Sequence, residues 1–295
     1  MYLEHFALHQ LPFGLTPNTD FYFGLPPHEE ALEVLRVALA SGEGFIKVTG
    51  EVGTGKTLLL RKLLDDLAVE YQLAYLPNPY LTPDELRRAL ALELGIAVSS
   101  HELAATDAIQ HRLIHLHREG RRVVLLLDEA QAIPDATLEA IRLFGNLETE
   151  SSKLLQVVLF GQPELDERLS QSSLRQLRQR ITFAYRLRPL LLDETRAYLE
   201  YRAKVSGHRG GDLFSRRAVR LLWKAGRGVP RLINVLAHKS LMLAYGRGAQ
   251  TIAPLHVKAA IRDTEDVVWR SYGWAWWCSG LVLAGVALWL LRGNI

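Results

Sequence analysis

The sequence predicts an α/β protein with a parallel sheet core, followed by a small all-α domain and one C-terminal transmembrane helix. Three observations support this prediction. Residues 50–57 spell G-x-x-x-x-G-K-T directly after an apolar run at 45–49. A second apolar run, 123–127, ends in an acidic pair. Near the C-terminus, residues 274–291 read WAWWCSGLVLAGVALWLL and carry no formal charge.

The secondary-structure elements follow from apolar periodicity and from turn signals. Short apolar runs predict five strands, at 45–49, 72–76, 123–127, 154–160 and 181–187. Helical spacing predicts the intervening helices at 26–40, 58–67, 83–94, 104–119, 134–147 and 173–180. Thr82 is the expected N-cap of the third helix, with Pro83 at its first position. Only helices are predicted after 192, at about 193–206, 213–225, 229–245 and 254–267.

The G-x-x-x-x-G-K-T motif lies between a strand and a helix, which is the context that a phosphate-binding loop requires. Its residues are Gly50, Glu51, Val52, Gly53, Thr54, Gly55, Lys56 and Thr57. Backbone N–H groups of such a loop surround phosphate oxygens, and the helix N-terminus adds a favourable dipole. Lys56 is expected to reach the β- and γ-phosphates, and Thr57 to bind Mg²⁺. The alternative, an ordinary glycine-rich turn, leaves the full spacing unexplained. The sequence therefore predicts binding of a nucleoside triphosphate, ATP.

The acidic pair follows five consecutive apolar residues, a pattern typical of a strand buried on both faces of a parallel sheet. Asp128 and Glu129 thus emerge at the carboxyl end of the strand, where ligands bind in open α/β folds. We expect Asp128 to hold the Mg²⁺ shell and Glu129 to orient and polarise the attacking water. The alternative is an acidic pair that caps the next helix. Beside a phosphate loop, the pair predicts hydrolysis as well as binding.

Composition and charge limit the possible classes of protein. A chain of 295 residues is long enough for one large and one small domain. Its formal charge is +3 and its isoelectric point is about 9.0, but the basic residues are scattered over helical segments, which favours solvated faces. The single cysteine, Cys278, excludes an intramolecular disulfide and fits a reducing compartment. The N-terminus does not have the pattern of a signal peptide.

The uncharged run from Trp274 to Leu291 predicts a membrane span. As a helix it is about 27 Å long, close to the hydrocarbon thickness of roughly 30 Å. Tryptophans stand at both ends, where interface anchors are placed. A buried core helix and an in-plane helix are the alternatives, although the run has no charged face. Lys258, Arg262 and Arg270 precede it, so the positive-inside rule predicts a cytoplasmic N-terminal body.

Taken together, these motifs resemble the AAA+ ATPases, and more narrowly the ExeA/GspA family of bacterial secretion ATPases. The resemblance covers essentially the whole chain. Besides the phosphate loop, it rests on segments at 12–13, 21–23, 27–32, 127–131, 161–165, 179–181 and 228–234. Family members carry a periplasmic peptidoglycan-binding region after the membrane helix, and this sequence stops there. The resemblance is therefore strongest to the MshM-like branch, of mannose-sensitive haemagglutinin (type IV) pilus biogenesis.

The resemblance implies roles for residues that spacing alone leaves open. Gln162 would be the sensor of the γ-phosphate or of the attacking water; the alternative is a plain loop residue. Arg231 would be the lid arginine that reaches the phosphates, against the alternative of a surface arginine. Arg180 would be the arginine finger offered to a neighbouring subunit, with Arg175 and Arg178 as open alternatives.

Further implications concern the adenine and the assembly. Phe21, Tyr22 and His28 would flank the adenine, with core packing and a helix-start role as the alternatives. The implied domains are 1–190 for the AAA+ nucleotide-binding domain, 191–270 for a helical lid and 274–291 for the transmembrane helix. The implied partners are copies of the chain in a ring, six by family precedent, and pilus or secretion assembly proteins at the bacterial inner membrane.

The function predicted from the sequence is a membrane-anchored ATPase that couples hydrolysis to assembly of secretion or pilus machinery. A nucleic-acid-remodelling AAA+ ATPase of the transposition or origin-recognition type is the alternative. It explains the isoelectric point, but the membrane run and the absence of a helix-turn-helix extension oppose it. A third hypothesis is a nucleotide-gated scaffold with little turnover, which the intact Glu129 opposes.

Overall fold

The fold is built on a five-stranded parallel sheet, and the predicted α/β class is confirmed. The computed structural model describes residues 2–16, 18–97, 102–149 and 152–265. Its strands are β1 (Phe45–Gly50), β2 (Tyr71–Leu76), β3 (Arg122–Leu127), β4 (Gln156–Gly161) and β5 (Ile181–Leu187). Their order across the sheet is β2-β3-β4-β1-β5, and each neighbouring pair is parallel.

Helices connect the strands and then form a separate group after β5. Up to β5 they are α1 (Tyr2–His5), α2 (Pro26–Ala40), α3 (Lys56–Leu67), α4 (Pro83–Glu93), α5 (Glu102–Arg118), α6 (Asp135–Phe144), α7 (Glu164–Leu169) and α8 (Arg175–Arg180). The C-terminal helices are α9 (Leu192–Val205), α10 (Arg216–Gly226), α11 (Pro230–Tyr245) and α12 (Pro254–Arg262). The predicted cap of α4 is confirmed, because Thr82 and Glu85 form a capping box.

The central strands are buried on both faces, as their continuous apolar runs predict. In β3, Val123, Leu125 and Leu127 belong to the core under α4, α5 and α6, whereas Val124 and Leu126 belong to the opposite core under α2 and α3. Side chains alternate between the two faces of a strand, so one apolar run supplies both cores.

The strand register brings three chain segments to one edge of the sheet. β4 lies between β1 and β3, with Thr49 opposite Gly161 and Leu127 opposite Leu159. The phosphate loop follows β1, the acidic pair follows β3, and Gln162 follows β4. Because all three strands are parallel, their carboxyl ends meet at the same edge.

The N-terminal segment packs with the C-terminal helices rather than with the sheet. Phe6, Leu8, Phe13 and Leu25 share one buried cluster with side chains of α9–α12. The sequence prediction assigned residues 1–190 to a single domain and missed this contact. The segment also contains α1 and a 3₁₀ turn at Thr19–Phe21, which the sequence analysis did not predict.

Several predicted boundaries are wrong, each for a local reason. α6 ends at Phe144 and β4 begins only at Gln156, because the chain turns back between them with Leu154 N–H donating to Leu147 O. α10 begins at Arg216 rather than 213, because Phe214 pairs with Ile252 and Ser215 caps the helix. The short helix α7 was missed, and α12 ends at Arg262 instead of 267.

No helix within the described residues is both long enough and apolar enough to cross a membrane. The predicted transmembrane helix at 274–291 lies outside the described residues, as does Cys278.

Candidate active site

The phosphate loop is a closed turn whose backbone geometry requires glycine at two positions. Gly53 and Gly55 have φ angles of 82° and 99°, which other residues rarely adopt. Thr54 closes the turn, because both its N–H and its hydroxyl donate to Glu51 O. α3 begins immediately afterwards at Lys56, so its free N–H groups face the loop. The loop therefore has the form of an anion cradle.

Lys56 is buried inside this loop. Its Nζ donates to Gly50 O at 2.7 Å and to Glu51 O at 3.1 Å. Burial lowers the pKa of Lys56, while the nearby carboxylates of Glu129 and Asp128 oppose that shift. The ammonium group thus lies between the loop and the acidic pair, where a phosphate would meet it.

Asp128 and Thr57, the two residues predicted to bind Mg²⁺, are in direct contact. Thr57 Oγ1 donates to Asp128 Oδ2 at 3.0 Å, and Asp128 is only 6% exposed. Burial raises the pKa of Asp128, and hydrogen bonds from Glu129 N–H and Thr57 oppose the rise. A hydroxyl and a carboxylate are hard oxygen ligands, the kind that Mg²⁺ prefers together with phosphate and water oxygens. The chemistry of these donors fits the ion.

Glu129 is fixed by two amide side chains. Its Oε2 accepts hydrogen bonds from Gln131 Nε2 at 2.5 Å and from Gln162 Nε2 at 3.0 Å. Burial alone raises the pKa of Glu129, but these two bonds and the charge of Lys56 outweigh it, so the pKa lies below its ordinary value. The carboxylate is therefore ionised at neutral pH and can accept a proton.

Gln162 reaches the acidic pair as its position after β4 predicts. Its backbone N–H also donates to Gln131 Oε1 at 2.9 Å, so Gln131 bridges Glu129 and the loop that begins at Gln162. The sequence analysis gave Gln131 no role. The signal available was its position two residues after Glu129, which does not by itself show that the side chain turns back.

Arg231 contacts the phosphate loop directly. Its N–H donates to Gly53 O at 3.1 Å, and a Cβ on Gly53 would lie 2.5 Å from Arg231 Cβ. Arg231 lines a cavity of about 210 Å³ together with Lys56, Thr57 and Glu129, which we call the loop cavity. The predicted placement of a C-terminal arginine beside the loop thus occurs, and its role toward phosphate stays a prediction.

A larger cavity of about 840 Å³ adjoins the loop cavity. The two share Gly14, Thr16, Asn18 and Arg202 as lining residues. The two cavities therefore have one wall in common, formed by the N-terminal segment and Arg202.

Arg202 is a buried residue of this wall that the sequence analysis missed. It is 7% exposed and donates to Pro12 O, to Gly14 O and to Tyr198 OH. Its guanidinium lies 4.6 Å from the centre of the Phe21 ring. Arg202 therefore fastens the N-terminal segment to α9. No sequence signal connects it with Pro12, because the two residues are separated by 190 positions.

The aromatic residues predicted to flank adenine mostly have packing roles. His28 is buried on α2, and its Nε2 is 2.9 Å from Thr54 O, so it supports the phosphate loop by direct contact. Tyr22 stacks on His28, and its hydroxyl donates to Glu29. Of the three predicted residues, Phe21 alone lines the outer cavity, and none lines the loop cavity. Tyr22 therefore fits the core-packing alternative, and His28, in the first turn of α2, fits the helix-start alternative.

The three finger candidates lie away from the site of their own chain. Arg175 and Arg178 are exposed on α8, and Arg180 is half-buried at its end, just before β5. Ile181 pairs with Phe45 at the amino end of β1, whereas the phosphate loop follows the carboxyl end. A strand of six residues spans about 20 Å, which separates Arg180 from the loop of the same chain.

The comparison with known sequences agrees with this geometry. Residues 38–169 match the family described as AAA domain. The chain is also similar to General secretion pathway protein A of Aeromonas hydrophila, with 39% identity over 286 residues and 96% of this chain. The chain carries an AAA domain. It spans about half of that relative, 51% of its length.

Solved structures show the same fold at low sequence identity. Cdc6p from Pyrobaculum aerophilum has a TM-score of 0.64 and 21% identity, and the match covers 84% of this chain and 69% of that chain. The Aeropyrum pernix ORC2 protein in its ADPNP–ADP complexes has a TM-score of 0.61 and 18% identity, covering 86% and 71%. These likenesses concern the fold alone.

Proposed function

We propose that this chain hydrolyses ATP, with Glu129 as the base and with Lys56 and the loop amides as phosphate ligands. The observation that carries the proposal is the environment of Glu129. Two amide donors keep its carboxylate ionised at the sheet edge that also holds the loop. An ionised carboxylate there can orient water and accept its proton. Mg²⁺ held by Thr57 and Asp128 would neutralise charge on the phosphate oxygens.

Two further residues complete the proposed site. Gln162 Nε2 donates one hydrogen to Glu129 Oε2, the atom that also accepts from Gln131. Its amide group has a second hydrogen, which could be donated to the attacking water or to the γ-phosphate. Arg231 enters from the C-terminal helices and adds a positive charge to the loop cavity. Both contacts would strengthen as charge develops on the transferred phosphoryl group.

The ATPase is proposed to work at the bacterial inner membrane on secretion or pilus assembly machinery. The similarity to a protein named for the general secretion pathway supports the process, and the uncharged run at 274–291 supports the location. Alkaline carbonate extraction tests the location. The full chain should stay in the membrane fraction, and a chain truncated after Arg270 should be released. Equal release of both chains would exclude the anchor.

The partner can be identified by trapping. Glu129→Gln is expected to hold ATP without turning it over, so proteins that co-purify with it from membranes in ATP, and not in ADP, are the candidates. Recovery of envelope assembly proteins supports the proposal. Recovery of the same proteins with Lys56→Ala would show that the contact does not depend on nucleotide.

A further inference from the structure

The charged residues of this chain are divided unevenly. Residues 1–190 contain 25 Asp and Glu against 19 Lys and Arg, whereas residues 191–265 contain 14 Lys and Arg against 6 Asp and Glu. The formal charge of +3 for the whole chain is therefore the sum of an acidic first part and a strongly basic group of C-terminal helices. Such charge asymmetry between parts of a chain points to an anionic surface or polymer as partner.

Helix α10 gathers these charges on one face. The cationic face, as we name it, consists of Arg216, Arg217, Arg220 and Lys224 with Arg227 at the C-cap, all of them exposed. At 100° per residue, the four helical positions fall within an arc of about 100°. The buried residues, among them Val219 and Leu222, lie on the opposite side, and α10 contains no Asp or Glu.

The arginines of this face form no ion pair within the described ranges, whereas Lys224 does have an interaction partner. The ion pairs of the C-terminal helices there involve Glu194, Arg196 and Lys239, and none joins Arg216, Arg217, Arg220 or Arg227 to a carboxylate. Like charges spaced four residues apart destabilise a helix slightly. A row of repelling charges on a well-packed helix is therefore a feature that an external anion would stabilise.

We infer that the cationic face of α10 docks on the anionic headgroups of a phospholipid bilayer. The preference for a bilayer rests on the proposed membrane anchor. α10 packs against α12, the last described helix, and eight residues separate position 265 from the uncharged run at 274. Fully extended, that connection spans at most about 30 Å. An anchored chain would thus hold its C-terminal helices beside the membrane surface.

The electrostatic attraction between these side chains and an anionic surface is strong enough for docking once the anchor holds the chain. Each Lys or Arg close to an anionic surface raises partitioning by about fivefold. The attraction extends only about 8–10 Å at physiological salt, so the side chains must face the surface. An arc of about 100° along a helix roughly 16 Å long presents its charges to a plane in this way.

The test measures the reactivity of individual arginines in the full chain. The protein is reconstituted into nanodiscs of phosphatidylcholine, with or without phosphatidylglycerol, and modified with phenylglyoxal before mass spectrometry. We expect the modification rates of Arg217 and Arg220 to fall about fivefold when phosphatidylglycerol is present. Arg118 and Arg121, which are exposed near β3, should react equally in both discs. Equal reactivity of Arg217 and Arg220 in the two discs would overturn the inference.

A matched pair of variants separates docking from general charge. Arg217→Glu with Arg220→Glu should abolish the lipid-dependent protection of Arg216 and Arg227. Arg118→Glu with Arg121→Glu changes the net charge equally and should keep that protection. Loss of protection in both variants would mean that total charge, and not this face, attracts the chain.

Two more outcomes distinguish this inference from the proposal of a membrane anchor and from binding to nucleic acid. If the chain fails to enter discs of phosphatidylcholine alone, the anchor proposal fails, while protection by vesicles containing phosphatidylglycerol still supports docking of α10. If duplex DNA protects Arg217 and Arg220 at the same salt concentration and phosphatidylglycerol does not, the partner is nucleic acid and the lipid inference is wrong.

Discussion

At the scale of single residues, the site depends on a carboxylate in an uncommon backbone conformation. Glu129 has a φ of 50°, in the left-handed region that favours glycine. Such a conformation costs roughly 1–3 kcal/mol and persists where the surroundings determine it. Here the N–H of Glu129 donates to Asp128, and Gln131 and Gln162 hold its side chain. The direction of the proposed base is therefore set by three neighbours.

The division of labour between Lys56 and Glu129 gives the first prediction. Lys56→Ala removes the ammonium from the loop and should abolish nucleotide binding. Glu129→Gln keeps the shape of the side chain but removes its basicity, so it should bind ATP and turn over about 10²–10⁴ times more slowly. Fluorescent-nucleotide titration and steady-state hydrolysis measure the two effects. A wild-type rate for Glu129→Gln would refute the assignment of the base.

Gln131 gives the second prediction. Gln131→Ala removes one of the two amide donors that lower the pKa of Glu129, so that pKa should rise. Because the ionised form is the base, the acid limb of the kcat profile should move to higher pH, while KM for ATP changes little. Gln110→Ala, at an exposed position on α5, is the control. An unmoved acid limb would show that Gln131 does not act on Glu129.

At the scale of elements, the C-terminal helices are attached through close backbone contacts. Leu190 N–H donates to Gly228 O, and Trp223 Nε1 donates to Leu190 O at 2.9 Å. Three residues later, Arg231 touches Gly53 of the phosphate loop. The connection after α10 thus links the C-terminal helices to the phosphate loop by direct contacts.

A comparison of two glycines tests this attachment. Gly228 and Gly248 have φ angles of 70° and 65°, so alanine is strained at both. A Cβ at Gly228 would lie 2.3 Å from Leu190 O, whereas a Cβ at Gly248 would meet nothing within 4 Å. We expect Gly248→Ala to lower the free energy of unfolding by about 1–2 kcal/mol and Gly228→Ala to lower it by more. Urea denaturation measures both, and equal losses would show that the contact is not tight in solution.

At the scale of the whole molecule, the position of α8 bears on the proposed arginine finger. Arg180 lies about 20 Å from its own phosphate loop, at the opposite end of β1 and β5. An arginine finger at this position would have to act on a phosphate bound to another copy. This geometry favours a homo-oligomer in which Arg180, or Arg175 or Arg178, completes a neighbouring site.

Mixing two inactive variants tests this arrangement. An arginine supplied in trans is worth roughly 10³–10⁵ in rate, so Lys56→Ala and Arg180→Ala should each be nearly inactive. In mixed oligomers some intact loops would face an intact Arg180, and part of the activity should return. Specific activity of the wild type should also rise with protein concentration. If the mixture stays inactive while the wild type is an oligomer, Arg180 does not act in trans and Arg175 or Arg178 is next.

The sequence by itself determined the α/β class, the existence of the five strands and the positions of the two motifs at strand ends. These features are local: Gly50 to Thr57 and Val123 to Glu129 are contiguous, and apolar periodicity over a few residues fixes each strand. The predicted bounds of β5, 181–187, agree with the structure for the same reason.

The tertiary structure alone decided the contacts between distant segments. It placed Arg202 against Pro12, turned Gln131 back onto Glu129, brought Arg231 into contact with Gly53 and placed His28 beside the phosphate loop. Each of these contacts depends on how helices pack across a sheet or on a single side-chain torsion. Helix packing and side-chain torsions leave no periodic signal in the sequence. Packing partners are determined by shape and burial in space and not by spacing along the chain.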